Sequence, residues 1–125
     1  MTENDISYKI RGAVFNVYNT LGPGLLESVY EAALKYELQK ENIAVENQVA
    51  VPVFYDEVKL DLGFRIDLLV DNKVIIEIKS VELLAPVHHK QLLTYLKLTN
   101  KKLGLLINFN TDNITSGIVR IVNNL

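Results

Sequence analysis

Apolar residues near the start of the chain, Ile6, Ile10, Ala13, Val14, Val17, Tyr18 and Leu21, recur at spacings of three and four and form one helical stripe. Asn4 or Asp5 is placed to cap this helix, and Gly22-Pro23 to stop it. A second helix is expected from near Gly24 to about Lys40, with Leu26, Val29, Ala33 and Tyr36 as its inner face. The pattern then changes. NIAVENQVAVPVFY predicts a first strand, in which Pro52 favours a sheet edge or an irregularity. KLDLGFRIDLLV and KVIIEIKS predict two further strands joined at Asp71-Asn72-Lys73. Pro86 suits the first turn of a helix running to about Leu98. KLGLLINF is another apolar strand, and GIVRIV a short last one. A meander followed by a crossover helix makes a mixed central sheet with helices packed against it, an α/β (α+β) fold in the order α-α-β-β-β-α-β(-β).

The 125 residues suggest one domain spanning 1–125, and an apolar share of 49% is too high for a disordered chain. There is no cysteine, which excludes a disulfide framework, a thiolate metal site and a thiol nucleophile. The polar start MTENDISYK lacks an apolar signal region, so a cytoplasmic location is expected, and no apolar run approaches the roughly 20 residues of a membrane span. A net charge of −2 argues against wholesale electrostatic binding of nucleic acid. Lys97, Lys101 and Lys102 are the best candidates for a local phosphate contact, and equally for a solvated helix end.

KVIIEIKS raises the chemical question. A strand repeats every two residues, so Glu77 and Lys79 share a face of an otherwise apolar strand. Val74, Ile76 and Ile78 take the opposite face. In the preceding strand Phe64, Ile66, Leu68 and Val70 are expected on one face, with Arg65, Asp67 and Leu69 on the other. Pairing Val70 against Val74, with Asp71, Asn72 and Lys73 as a three-residue loop, sets Asp67 opposite Glu77. A two-residue turn would instead put Ile76 opposite Asp67 and separate the acids by face.

Two carboxylates held side by side repel unless one is protonated or a cation sits between them. Mg²⁺ prefers such hard oxygen ligands, and a lysine beside it can orient the attacking water or offset charge on phosphorus. The pattern D…ExK therefore suits metal-assisted phosphodiester hydrolysis. The alternative is structural: Asp67 and Lys79 as a cross-strand ion pair, with Glu77 at a wet edge.

LGPGLLESVYEAAL carries Gly24, Glu27 and Tyr30 in the pattern G-x-x-E-x-x-Y. It closely resembles the small bacterial and archaeal family of GxxExxY proteins, which is placed in the PD-(D/E)XK nuclease superfamily. GFRIDLLVDNKVIIEIKSVE is similar to that family's central hairpin, and HHKQLLTYLKLTNKKLGLLINF to its helix and strand, so the resemblance runs from about Ile10 to Phe109. It implies a restriction-endonuclease-like core. It implies that Asp67 and Glu77 are metal-binding carboxylates, with the Ile78 carbonyl as a further oxygen, and that Lys79 is the catalytic lysine. Glu27 matches the superfamily's additional helical acid, acting on the metal directly or through water. Gln91 matches a helical glutamine found after ExK in several branches, and His88 and Tyr95 sit at family positions on the same helical side. Ile66 stands where the literal Pro-Asp pattern has proline.

The resulting expectation is a Mg²⁺-dependent nuclease, with Mn²⁺ as substitute, acting on DNA or RNA. A second reading is a catalytically silent nuclease-fold protein with a binding or accessory role. A third is an interaction domain whose polar cluster is an ion-pair network. A domain this small offers little surface for gripping nucleic acid, since specific interfaces bury on the order of 1,000 Å² or more. A homodimer or a protein partner would supply the rest.

Overall fold

The computed structural model describes residues 1–125, apart from the side chains of Asp61 and Leu62. Helix α1 (Glu3–Leu21) buries Ile6, Ile10, Ala13, Val14 and Val17, as the stripe predicts, while Leu21 stays exposed. Its cap is Thr2 rather than Asn4 or Asp5. Thr2 Oγ1 accepts the Asp5 amide at 3.1 Å and Asp5 Oδ2 accepts the Thr2 amide at 3.0 Å, so Asp5 serves as the third-position acid of a capping box.

Helix α2 (Glu27–Lys40) begins later than Gly24, which adopts a φ of +96° open only to glycine at little cost. Its buried face is Tyr30, Leu34 and Leu38; of the expected Leu26, Val29, Ala33 and Tyr36 only Ala33 packs against the core, partly buried. Both sets fit a helical repeat. The rotation is decided by Tyr30, which is fully buried and stacked on Phe109 with ring centroids 4.2 Å apart. Leu26 precedes the helix and is exposed, and Val29 and Tyr36 face solvent.

The remaining elements are β1 (Val45–Tyr55), β2 (Val58–Val70), β3 (Val74–Lys79), α3 (Pro86–Thr99), β4 (Leu103–Asn108), the single turn α4 (Ile114–Gly117) and β5 (Ile118–Val122). They form a five-stranded sheet in the order β1-β2-β3-β4-β5. The β3–β4 pair is parallel, joined through α3, and the others are antiparallel. β1 lies at the edge, and its pairing is irregular between Val51 and Val53, around Pro52. Asp56 and Glu57, both at positive φ, make the tight turn into β2.

Two cores cover the two faces of the sheet. α1 and α2 pack on Leu68, Val70, Val74, Ile76, Ile78, Leu103, Leu105 and Ile107. α3 packs Leu92 and Leu96 on Ile66, Leu69, Ile75 and Leu106, and a side chain at Gly104 would collide with Leu92. The expected single face of Phe64, Ile66, Leu68 and Val70 is therefore split. Phe64 and Ile66 pack on the α3 side, Leu68 and Val70 on the α1–α2 side. β1 makes the same change, from Val45 on one side to Val49 and Val51 on the other. The switch falls where Gln48 adopts a φ of +51°, as the ladder steps from Asn47–Leu68 to Val49–Ile66. A left-handed residue within an extended strand rotates the chain and reverses the side-chain parity beyond it.

Candidate metal and active site

The β2–β3 register places Val70 opposite Val74, Leu69 opposite Ile75 and Leu68 opposite Ile76, with residues 71–73 as the loop. The next step would set Asp67 against Glu77. There the side chains take over from the ladder: Asp67 Oδ2 accepts the Ile78 amide at 2.8 Å, and Glu77 Oε1 lies 3.4 Å from the Asp67 amide. The two carboxylates thus meet where the strands part.

Their surroundings make this arrangement costly without a cation. Glu77 is 7% exposed. Burial, then the neighbouring Asp67 charge, pushes its carboxyl up to about 8, against a smaller opposing pull from the Lys79 ammonium. Tyr95 of α3, stacked on Phe64 at 3.6 Å, borders the same space, and its phenol is raised by burial, Glu77 and Asp67. Among the described residues no ion pair joins Asp67 to Lys79, so the cross-strand salt bridge of the structural alternative is not formed.

The G-x-x-E-x-x-Y segment is tied to the end of β3. The Tyr30 hydroxyl donates to the Gly22 carbonyl at 2.6 Å and accepts the Leu25 amide at 3.1 Å, fixing the α1–α2 loop. That loop holds Ser80, whose hydroxyl donates to the Leu25 carbonyl at 2.7 Å and whose amide donates to Glu27 Oε1 at 3.3 Å. Glu27 is exposed but anchored one residue beyond Lys79. The Lys79 carbonyl accepts the Phe109 amide at 3.0 Å, and the buried Asn108 side chain bonds both backbone groups of Val81. The backbone after ExK is therefore fixed from two sides.

Other expected residues stand further off. Gln91 is exposed on α3, one turn before Tyr95, with no side-chain hydrogen bond among the described residues. His88 Nδ1 accepts the Ala85 amide at 3.0 Å and so closes the first turn of α3. Two residues were not anticipated. Glu31, one turn after Glu27, is held at 2.6 Å by Gln48 Nε2, and burial raises its carboxyl, with the Asp67 charge contributing. The signal was present in VENQVAV, where the tandem Asn47-Gln48 interrupts the apolar alternation.

Among the described residues no group of three or more His, Cys, Asp or Glu side chains gathers as a metal cluster. The donor set is instead a pair of carboxylates, Glu77 buried and Asp67 half-buried, which fits a hard divalent cation that takes one or two protein carboxylates and completes its shell with water and phosphate. A cleft of about 440 Å³ opens past Ser80, beside Asn108, and its lining excludes Asp67 and Glu77.

The model of the PD-(D/E)XK nuclease superfamily matches residues 4–121. The chain belongs to this superfamily. Its mixed sheet flanked by helices is a restriction-endonuclease-like fold, and divalent metals are generally used by the superfamily's nucleases. Among solved structures it is similar to the crystal structure of SSO0001, with 26% identity and a TM-score of 0.57 over 79% of this chain. The chain spans about half the length of that protein, 51%. No curated protein matches it. No helix is long and apolar enough to cross a membrane.

Proposed function

We propose that this PD-(D/E)XK domain, of the GxxExxY type, is a metal-dependent nuclease that hydrolyses phosphodiester bonds in DNA or RNA. The observation carrying this reading is the abutment of Asp67 and Glu77 at the parting of β2 and β3, in a setting that lifts Glu77 to about 8. Asp67, Glu77 and the Ile78 carbonyl would hold Mg²⁺ or Mn²⁺, with Glu27 reaching it through water. When bound, the ion supplies Lewis acidity toward a phosphoryl oxygen and its bound water.

The chain's own residues do the rest. Asp67 is oriented by the Ile78 amide, which leaves Oδ1 free of the backbone. Lys79 follows Glu77 on the same face, where its ammonium can orient the attacking water or offset charge growing on phosphorus. Tyr95 and Phe64 wall the α3 side, and Gln91 faces the incoming nucleic acid.

The test is cleavage of single-stranded, double-stranded and branched DNA and of RNA with Mg²⁺ or Mn²⁺. Lys79→Ala should lower the rate by about 10²- to 10⁴-fold while Mn²⁺ binding persists. Asp67→Ala should lose both. Mn²⁺ binding without cleavage of any substrate above the Lys79→Ala background would replace this reading with that of a silent binding or accessory protein.

A further inference from the structure

Gln48 occupies a backbone conformation that glutamine seldom adopts, with a φ of +51° inside β1. Its neighbour Asn47 is the residue type that tolerates this region, yet the sequence assigns the left-handed position to Gln48. The difference between the two side chains is one methylene of reach. Gln48 uses it: Nε2 lies 2.6 Å from Glu31 Oε1 on α2 and 3.4 Å from Asp67 Oδ1 on β2. A primary amide has two N–H groups, and here each faces a carboxylate. The Gln48 backbone carbonyl accepts from Arg65 Nη1 at 3.2 Å.

Resting on the metal-dependent reading above, we infer that Gln48 is a positioning residue that aims the Asp67 carboxylate at the metal. Asp67 is then held by both oxygens, Oδ2 by the Ile78 amide of β3 and Oδ1 by an amide anchored to α2. The short bond to Glu31 is the anchor. The longer bond to Asp67 leaves that oxygen capacity to bind a cation, since a carboxylate oxygen has two lone-pair sites. The same N–H groups stand between Glu31 and Asp67, which would otherwise repel.

A structural role must be separated from this one. Asn47 also ties β1 to α2, accepting from Lys35 Nζ at 2.6 Å. If Gln48 only clamped β1 to α2, losing it would resemble losing Asn47. The experiment compares Gln48→Gly, Gln48→Asn and Asn47→Ala by Mn²⁺ titration with calorimetry and electron paramagnetic resonance, alongside metal-free melting. Glycine and asparagine both suit the backbone at position 48, which offsets the lost side-chain hydrogen bonds, so the melting midpoints of those variants should stay close to that of the wild type. Their Mn²⁺ dissociation constants should rise about tenfold, the lower end for loss of a group that orients a metal ligand. Asn47→Ala should stay within about twofold of wild type in Mn²⁺ affinity, as a residue with no bond to a ligand. In a cleavage assay the Gln48 variants should need more Mn²⁺ for half-maximal rate and recover the wild-type rate at saturation. Mn²⁺ affinity unchanged in both Gln48 variants, or reduced equally in Asn47→Ala, overturns the inference while leaving the nuclease reading intact. A wild type that binds no Mn²⁺ overturns both.

Discussion

The two ends of the β2–β3 hairpin are built on opposite principles. Next to the loop, Val70, Val74, Leu69, Ile75, Leu68 and Ile76 pair in regular register and are all buried. One step further, the side chains of Asp67 and Glu77 intrude on the ladder, and a carboxylate receives an amide that a strand carbonyl would otherwise take. The apolar end supplies hydrophobic stabilisation. The polar end lowers stability, because it buries the Glu77 carboxyl beside the Asp67 carboxylate and so opposes its ionisation. Rigid packing at one end is what permits the other to exist. Ile76 and Glu77 are adjacent in sequence and stand on either side of this boundary.

Substituting these two neighbours should give opposite results. Ile76→Ala should destabilise the protein by about 2–5 kcal/mol, the range for truncating a fully buried aliphatic side chain. Mn²⁺ affinity in the folded fraction should be little changed. Urea unfolding with and without Mn²⁺ checks both parts. A stability loss well below this range would mean that the packed end is not what holds the hairpin together.

Glu77→Gln should instead stabilise the metal-free protein at alkaline pH. The folded-state carboxyl titrates near 8, against an ordinary value of 4.5. A pKa raised by folding gives stability that is complete below about 4.5 and is lost as pH rises through about 8. At pH 7 the folded protein holds this carboxyl largely protonated, where the unfolded chain would ionise it, at a cost on the order of 3 kcal/mol. The variant should therefore gain more than that at pH 8.5 in EDTA, on the order of 4 kcal/mol, gain almost nothing at pH 4, and bind Mn²⁺ far more weakly. For the wild type, Mn²⁺ should bind more tightly as pH rises, because ion and proton compete for the same carboxylates. A pH-independent difference between wild type and Glu77→Gln would remove the electrostatic account of this end.

Much of this comparison was legible in the sequence. The alternation of KVIIEIKS gave the faces of β3, whereas the opposition of Val70 and Val74 stood against a two-residue turn until the register decided it. The parity switch opposite Asp67 was missed although Asn47-Gln48 interrupts the apolar alternation of β1, because a polar pair in a strand does not by itself announce the positive φ of Gln48. The rotation of α2 was missed for a related reason. Leu26 and Val29 extend one apolar series and Tyr30, Leu34 and Leu38 another, and only the stacking of Tyr30 on Phe109 chooses between them. Glu31 was overlooked because an acid one turn into an amphipathic helix looks like solvated surface. Its importance depends on a strand residue seventeen positions away.

The helical motif serves the polar end by fixing its backbone. Tyr30→Phe keeps the buried ring and its stacking but strips two hydrogen bonds from the α1–α2 loop. The expected cost is about 1–3 kcal/mol, the range for leaving part-buried backbone groups unpartnered. Because Leu25 and Glu27 grip Ser80, the loosened loop should also raise hydrogen exchange at the Ser80 amide. Unchanged protection there would mean that the loop and the end of β3 are uncoupled.

Glu27→Gln should have the smallest effect on stability. Glu27 is exposed, its bond to the Ser80 amide is 3.3 Å long, and the amide oxygen of glutamine can still accept that hydrogen. A change within about 0.5 kcal/mol is expected, as for surface substitutions that leave no group unpaired. The substitution removes charge while sparing geometry, so it isolates what the carboxylate does for the ion. If Glu27 reaches the metal through water, the Mn²⁺ dissociation constant should rise by about tenfold, as for loss of an outer-shell partner. If the affinity is unchanged, Glu27 acts only as the clasp on Ser80, and the acids at the hairpin end work without a helical third. That result would leave Asp67 and Glu77 as the acids that meet the ion, and would place the contribution of α2 in Glu31, acting through Gln48 of β1.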